Sequence, residues 1–77
     1  MVNDINNSIE IYVYLLDEGV DVWRPIQAEK LSNNLFRIVS KNPDLEDEKW
    51  QFSTGDIVKC EEHQLSHKKC LVAIEKI

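Results

Sequence analysis

From Ile9 to Leu16 the side chains alternate with a period of two. Ile9, Ile11, Val13 and Leu15 fall on one face, and Glu10, Tyr12, Tyr14 and Leu16 on the other. That is the period of a strand, not a helix. The β-branched and aromatic side chains suit a pleated surface. A strand with one apolar face cannot stand alone, so the rest of the chain must supply partners that cover Ile11 and Val13.

The same period recurs downstream. Asp17-Glu18-Gly19 ends the first strand, since Gly accepts the positive φ that turns need. A second extended stretch is expected over Val20 to Leu31, where Pro25 marks an edge, a bend or a bulge because it has no N–H to donate. Ser32-Asn33-Asn34 is a tight-turn signal, and Leu35 to Ser40 returns as a third strand with Phe36 and Ile38 on one face. Trp50 and Phe52 are separated only by Gln51, so both can face the core, and Ser53-Thr54-Gly55-Asp56 reads as the next turn. Ile57 to Gln64 and Cys70 to Lys76 are expected as the fourth and fifth strands, joined by Leu65-Ser66-His67-Lys68-Lys69 into a hairpin. Helices over 26–31 or 44–50 are too short to stand unsupported, so at most one short turn is expected within 44–49.

Residues 1–8 are polar and read as a flexible leader, leaving 9–77 as a single domain. Five short strands in so small a chain expose edges unless the sheet closes on itself. The expected fold is therefore all-β: a small five-stranded SH3-like barrel, with an OB-type barrel as the alternative.

Charge narrows the partners. Fourteen acidic and nine basic residues give a net charge of −5. Nucleic acids are bound mainly through Lys and Arg, and the only arginines are Arg24 and Arg37. A basic partner suits such a chain better than a nucleic acid. The start of the chain lacks the basic and apolar regions of a signal peptide. The apolar run Ile11–Leu16 has six residues, against the roughly 20 needed to span a bilayer. A cytoplasmic location and no membrane partner are the expectations, and Cys60 and Cys70 are then expected as free thiols.

Three stretches carry a resemblance: Leu15-Leu16-Asp17-Glu18-Gly19-Val20-Asp21-Val22-Trp23-Arg24-Pro25-Ile26, then Asn42-Pro43-Asp44-Leu45-Glu46-Asp47-Glu48-Lys49-Trp50-Gln51-Phe52, then Gly55-Asp56-Ile57-Val58-Lys59-Cys60-Glu61. Together they resemble a family of short, uncharacterised bacterial proteins with a DEGVDVWRP…DPEDEEWEF…GxxVxCE pattern. The likeness covers roughly residues 9–75. It implies a bacterial origin and carries over no activity, cofactor or catalytic residue.

Three constellations bear on function. Cys60, His63, His67 and Cys70 have the spacing C-x2-H-x3-H-x2-C, four possible zinc ligands within 11 residues. Against a metal site, Cys60 and His63 have opposite parity and point to opposite faces of a strand. If the hairpin pivots near His67, Cys70 pairs with Gln64, and Cys60 lies roughly 13 Å from Cys70. That separation also excludes a disulfide. Two part-buried thiols and two surface histidines are the plainer reading, and no cofactor is expected.

The second constellation is the acidic stretch Asp44, Glu46, Asp47 and Glu48. It lacks the alternating acids and central Gly of a calcium loop and reads as a solvated connection that attracts a basic partner. The third is Tyr12, Tyr14, Trp23 and Arg24, the residue types that dominate interface energetics. The competing reading places the aromatics in the core or over the barrel ends.

No nucleophile–base pair or phosphate-cradling Gly loop appears at a recognisable spacing. A barrel this small is expected to offer little room for a pocket of about 300 Å³ or more. The sequence therefore reads as a non-catalytic protein-interaction module, immunity- or adaptor-like toward a basic partner. A nucleic-acid- or ribosome-associated small barrel is the alternative, since exposed aromatics can stack on bases. A homodimer through an uncovered strand edge is also open.

Overall fold

The computed structural model describes residues 8–42, 48–65 and 67–77. Its elements are β1 (Ser8–Leu16), β2 (Trp23–Lys30), β3 (Leu35–Ile38), β4 (Lys49–Trp50), β5 (Ile57–Leu65) and β6 (Lys68–Lys76). No helix occurs among the described residues, and so none is long and apolar enough to cross a membrane. Residues 1–7 of the expected leader and most of the expected 44–49 turn lie outside the described residues; Ser8 already belongs to β1.

The strands are hydrogen-bonded in the order β2-β3-β5-β6-β1-β4, and β2 also pairs with β1. Five strands thus form a closed ring, β1-β2-β3-β5-β6, with β4 attached outside it through Leu15↔Trp50 and Leu16↔Lys49. The ring closes through a parallel contact, Tyr12↔Val72, while every other pairing is antiparallel. Closure leaves fewer unpaired edges to the solvent.

Alternation decides what fills the ring. Ile11 and Val13 from β1, Ile26 and Ala28 from β2, Phe36 and Ile38 from β3, and Val58 and Cys60 from β5 are all buried. Phe52 and Ala73 complete this cluster, and Ile9, Trp50 and Leu71 pack against it. Tyr12 and Tyr14 take the opposite face of β1 and are half-buried there.

Several expected boundaries shift. The second strand begins at Trp23, not Val20, because Val22 turns back and its carbonyl accepts the Leu15 N–H at 2.9 Å. Pro25 opposes Tyr12 in an unbroken register with β1. On its other side β2 meets β3 only from Ala28 to Lys30, so Pro25 sits at an edge, where its missing N–H costs nothing. The third strand stops at Ile38. Val39 and Ser40 instead both donate to the Gln27 carbonyl, at 3.1 and 3.2 Å.

The last hairpin is tighter than expected. Leu65 pairs with Lys68, leaving two residues between the strands, and His67 takes a φ of 71°. Cys70 therefore opposes His63, not Gln64. The register jumps from Lys59↔Glu75 to Cys60↔Ala73, which makes Ile74 the extra residue of a bulge.

Candidate functional site

Tyr14 and Trp23 are directly opposed across β1 and β2. Their rings meet edge to face, with centroids 5.2 Å apart and planes at 68°. That arrangement brings the positive edge of one ring to the negative face of the other. The Tyr14 hydroxyl donates to Asp21 Oδ1 at 2.9 Å. This bond to a carboxylate, with the charge beside it, raises the Tyr14 phenol pKa above the usual range. Two residues back on the same face is Tyr12. Its phenol is also shifted up, first by partial burial and then by the Glu10 carboxylate, with a smaller contribution from a hydrogen bond with Cys70.

Tyr12 and Trp23 border a groove of about 380 Å³, together with Asp21, Val22, Leu65, Lys68 and Cys70. A second groove of about 550 Å³ lies at the β4 end, along Lys41, Asn42, Glu48, Lys49, Trp50, Ser53 and Thr54. Both exceed the room expected of so small a chain. They are carved between strands and connecting segments at the surface, while the ring interior is filled.

Arg24 does not join the aromatic face. It shares parity with Ile26, so it leaves β2 on the side opposite Trp23 and reaches Glu48. Its Nε donates to Glu48 Oε1 at 2.9 Å and its Nη2 to Oε2, a bidentate pair. Trp50 Nε1 donates to Glu48 Oε1 at 2.7 Å, and Asn42 Nδ2 donates to the Glu48 carbonyl at 2.6 Å. Glu48 is therefore engaged within the chain and not offered outward as part of an acidic rim. Asp44, Glu46 and Asp47 lie outside the described residues.

The hydrogen bonds from Arg24 and Trp50 hold the Glu48 carboxyl pKa below the usual value, against a smaller opposing effect of burial. A carboxyl lowered by folding stabilises above its unfolded pKa, and the gain disappears as pH falls toward the folded value. The stability of Glu48→Gln at neutral pH is expected to drop by about 1 kcal/mol, a modest loss because water screens the half-exposed Arg24. Below about pH 4 the gap between variant and parent should narrow. Thermal unfolding of both proteins between pH 3 and pH 7 reads this, and a constant gap would refute it.

The four candidate metal ligands are dispersed. Cys60 lies in the core opposite Ala73, whereas His63 and Cys70 oppose each other on the other face, and His67 sits in the turn. His63 Nε2 is instead 3.2 Å from Glu61 Oε1. Among the described residues no group of three or more His, Cys, Asp or Glu is placed to hold a metal ion. Cys60 and Cys70 are both unlinked and buried, and Cys70 Sγ donates weakly to the Lys68 carbonyl at 3.7 Å.

The structure thus gathers Tyr12, Tyr14 and Trp23 and separates Arg24 and Glu48 from them. Sequence reasoning missed Asp21, Val22, Leu65, Lys68 and Cys70 as neighbours of the aromatic face. Only the parity of Cys70 and Lys68 hinted at a shared side, and the β1–β6 contact that brings them to Tyr12 has no local signal. Comparison of the chain with protein-family models, with curated proteins and with solved structures gives no match.

Proposed function

We propose that this chain is a non-catalytic protein-interaction module with an SH3-like barrel architecture, acting in the bacterial cytoplasm as an adaptor- or immunity-like binder of a basic partner protein. The observation that carries the reading is the Tyr14–Trp23 pair beside Tyr12, with Tyr12 and Trp23 bordering one groove on the outer face of the ring. Amphipathic rings that are fixed in place and half-exposed bind a partner at low cost in conformational entropy. Asp21 at the rim and a net charge of −5 favour a cationic partner and speed its approach. Among the described residues that line the groove Lys68 is the one cation, which suits a protein surface better than a phosphate backbone.

Affinity capture from the source cell tests the reading. One reproducible basic protein is expected, and its affinity for Trp23→Ala should fall at least about tenfold, as for a central aromatic contact. Equal binding by parent and variant would move the site elsewhere. Recovery of nucleic acid in place of protein would favour the base-stacking alternative.

A further inference from the structure

The β5–β6 hairpin runs past the ring. β3 accompanies β5 only from Ile57 to Lys59, and the last backbone bond on that side is Cys60 N–H to the Asn34 carbonyl at 2.9 Å. Beyond it, Glu61, Glu62, His63 and Gln64 are exposed, with β6 as their one ladder partner among the described residues. Backbone direction alternates along a strand. Since the Cys60 N–H points toward β3, the N–H and C=O groups of Glu62 and Gln64 point the same way, past the end of β3. The tight turn agrees. Leu65↔Lys68 flanks a two-residue connection, which makes it a hydrogen-bonded pair, and so His63 and Glu61 also turn toward β6. Glu62 and Gln64 thus present a row of four backbone groups with no ladder partner among the described residues.

We propose that this edge pairs with the same edge of a second copy of the chain, antiparallel about a two-fold axis at His63. A two-fold axis normal to a sheet pairs residues of equal parity, which leaves few registers. Centring on His63 sets Glu62 opposite the second copy's Gln64, twice, and Glu61 opposite its Leu65, twice. All four outward backbone groups on each copy are then used, giving four hydrogen bonds between the copies, with no Glu facing Glu. Centring on Glu62 sets two carboxylates face to face, and it needs the Cys60 N–H that Asn34 already holds. Centring on Gln64 satisfies only half as many groups. The edge is therefore self-complementary in one register.

Five residues a side bury far less than a stable dimer needs. The association is weak and depends on concentration. Two chains of charge −5 repel, so added salt strengthens it.

Sedimentation equilibrium of the full chain from about 10 μM to about 1 mM tests the proposal, with circular dichroism as the check that each variant folds. The parent is expected to shift from monomer toward dimer over this range, and more so in high salt. Gln64→Lys, which places a cation opposite Glu62 twice per dimer, should tighten association severalfold, and Gln64→Glu should abolish it. Gln51→Lys makes the same change in net charge at an exposed site away from the hairpin and should leave association near that of the parent. A parent that stays monomeric at the highest concentration overturns the proposal. So does a Gln51→Lys variant that associates as tightly as Gln64→Lys, since net charge and not register would then be the cause. Neither outcome touches the aromatic-face reading, whose test uses Trp23.

Discussion

Phe36→Ala is expected to remove a large fraction of the chain's stability at room temperature. Phe36 is 1% exposed and sits on β3, the shortest strand of the ring. It opposes Val58 and Lys30, so it links β2, β3 and β5 at once. Removing a buried Phe ring costs about 3–5 kcal/mol, through lost transfer energy and the cavity left behind. A domain of this length holds roughly 4–12 kcal/mol in total. Urea unfolding should show a midpoint lowered by a large fraction of the parent's, or no folded baseline at all. Arg37→Ala, on the exposed face of the same strand, provides the contrast and should cost less than about 1 kcal/mol. Similar losses from the two would mean that Phe36 is not a central contact of the core.

Cys60 is expected to react with an alkylating reagent at pH 8 at least about 100-fold more slowly in the folded chain than in denaturant. Burial pushes its thiol pKa up from 9.0 to about 11, because a thiolate in an apolar interior loses its hydration. Two pKa units lower the thiolate fraction by about 100-fold, and the higher basicity of that thiolate gives back roughly tenfold in nucleophilicity. Steric exclusion supplies the rest. Cys60 is 4% exposed, so reagent must wait for the ring to open. The measurement uses Cys70→Ser, in which the hydroxyl can keep the contact to the Lys68 carbonyl.

The same shift has a consequence for stability. A thiol whose pKa rises on folding stabilises below its unfolded pKa and loses that contribution as pH climbs from about 9 to about 11. Tyr12 and Tyr14, also raised, act in the same direction. Cys60→Val should remove the cysteine part of the alkaline loss. Rapid labelling of folded Cys70→Ser at pH 8 would place Cys60 outside the core.

Much of the fold could be read from alternation alone. The inward set Ile9, Ile11, Val13, Leu15 and the pair Phe36, Ile38 follow from period two, and each of these residues is buried or packs against the core. Boundaries failed where hydrogen bonds between distant segments decide them. Val39 and Ser40 continue the apolar-to-polar pattern of a strand, yet both are captured by Gln27. The hairpin turn was misplaced by one residue because its sequence has neither Gly nor Asn to mark the tight position, which falls on His67. The bulge at Ile74 has no marking glycine either. At the site, the grouping of Arg24 with Trp23 ignored a signal that was present, since neighbours on a strand face opposite ways. The pairing of Arg24 with Glu48, 24 residues away, had no such signal.

The single parallel contact Tyr12↔Val72 joins residues far apart in the order of synthesis. A ribosome releases β1 early, while its partner across the seam, β6, is not yet made. Until Val72 leaves the exit tunnel, Ile11, Val13 and Phe36 have no closed interior to enter. The nascent chain therefore exposes apolar strand faces from the time β1 emerges until β6 is free to pair, and closure of the ring waits for that strand. Slow codons placed before β6 would lengthen that exposure, and a chaperone that grips apolar strands would find its substrate in that interval.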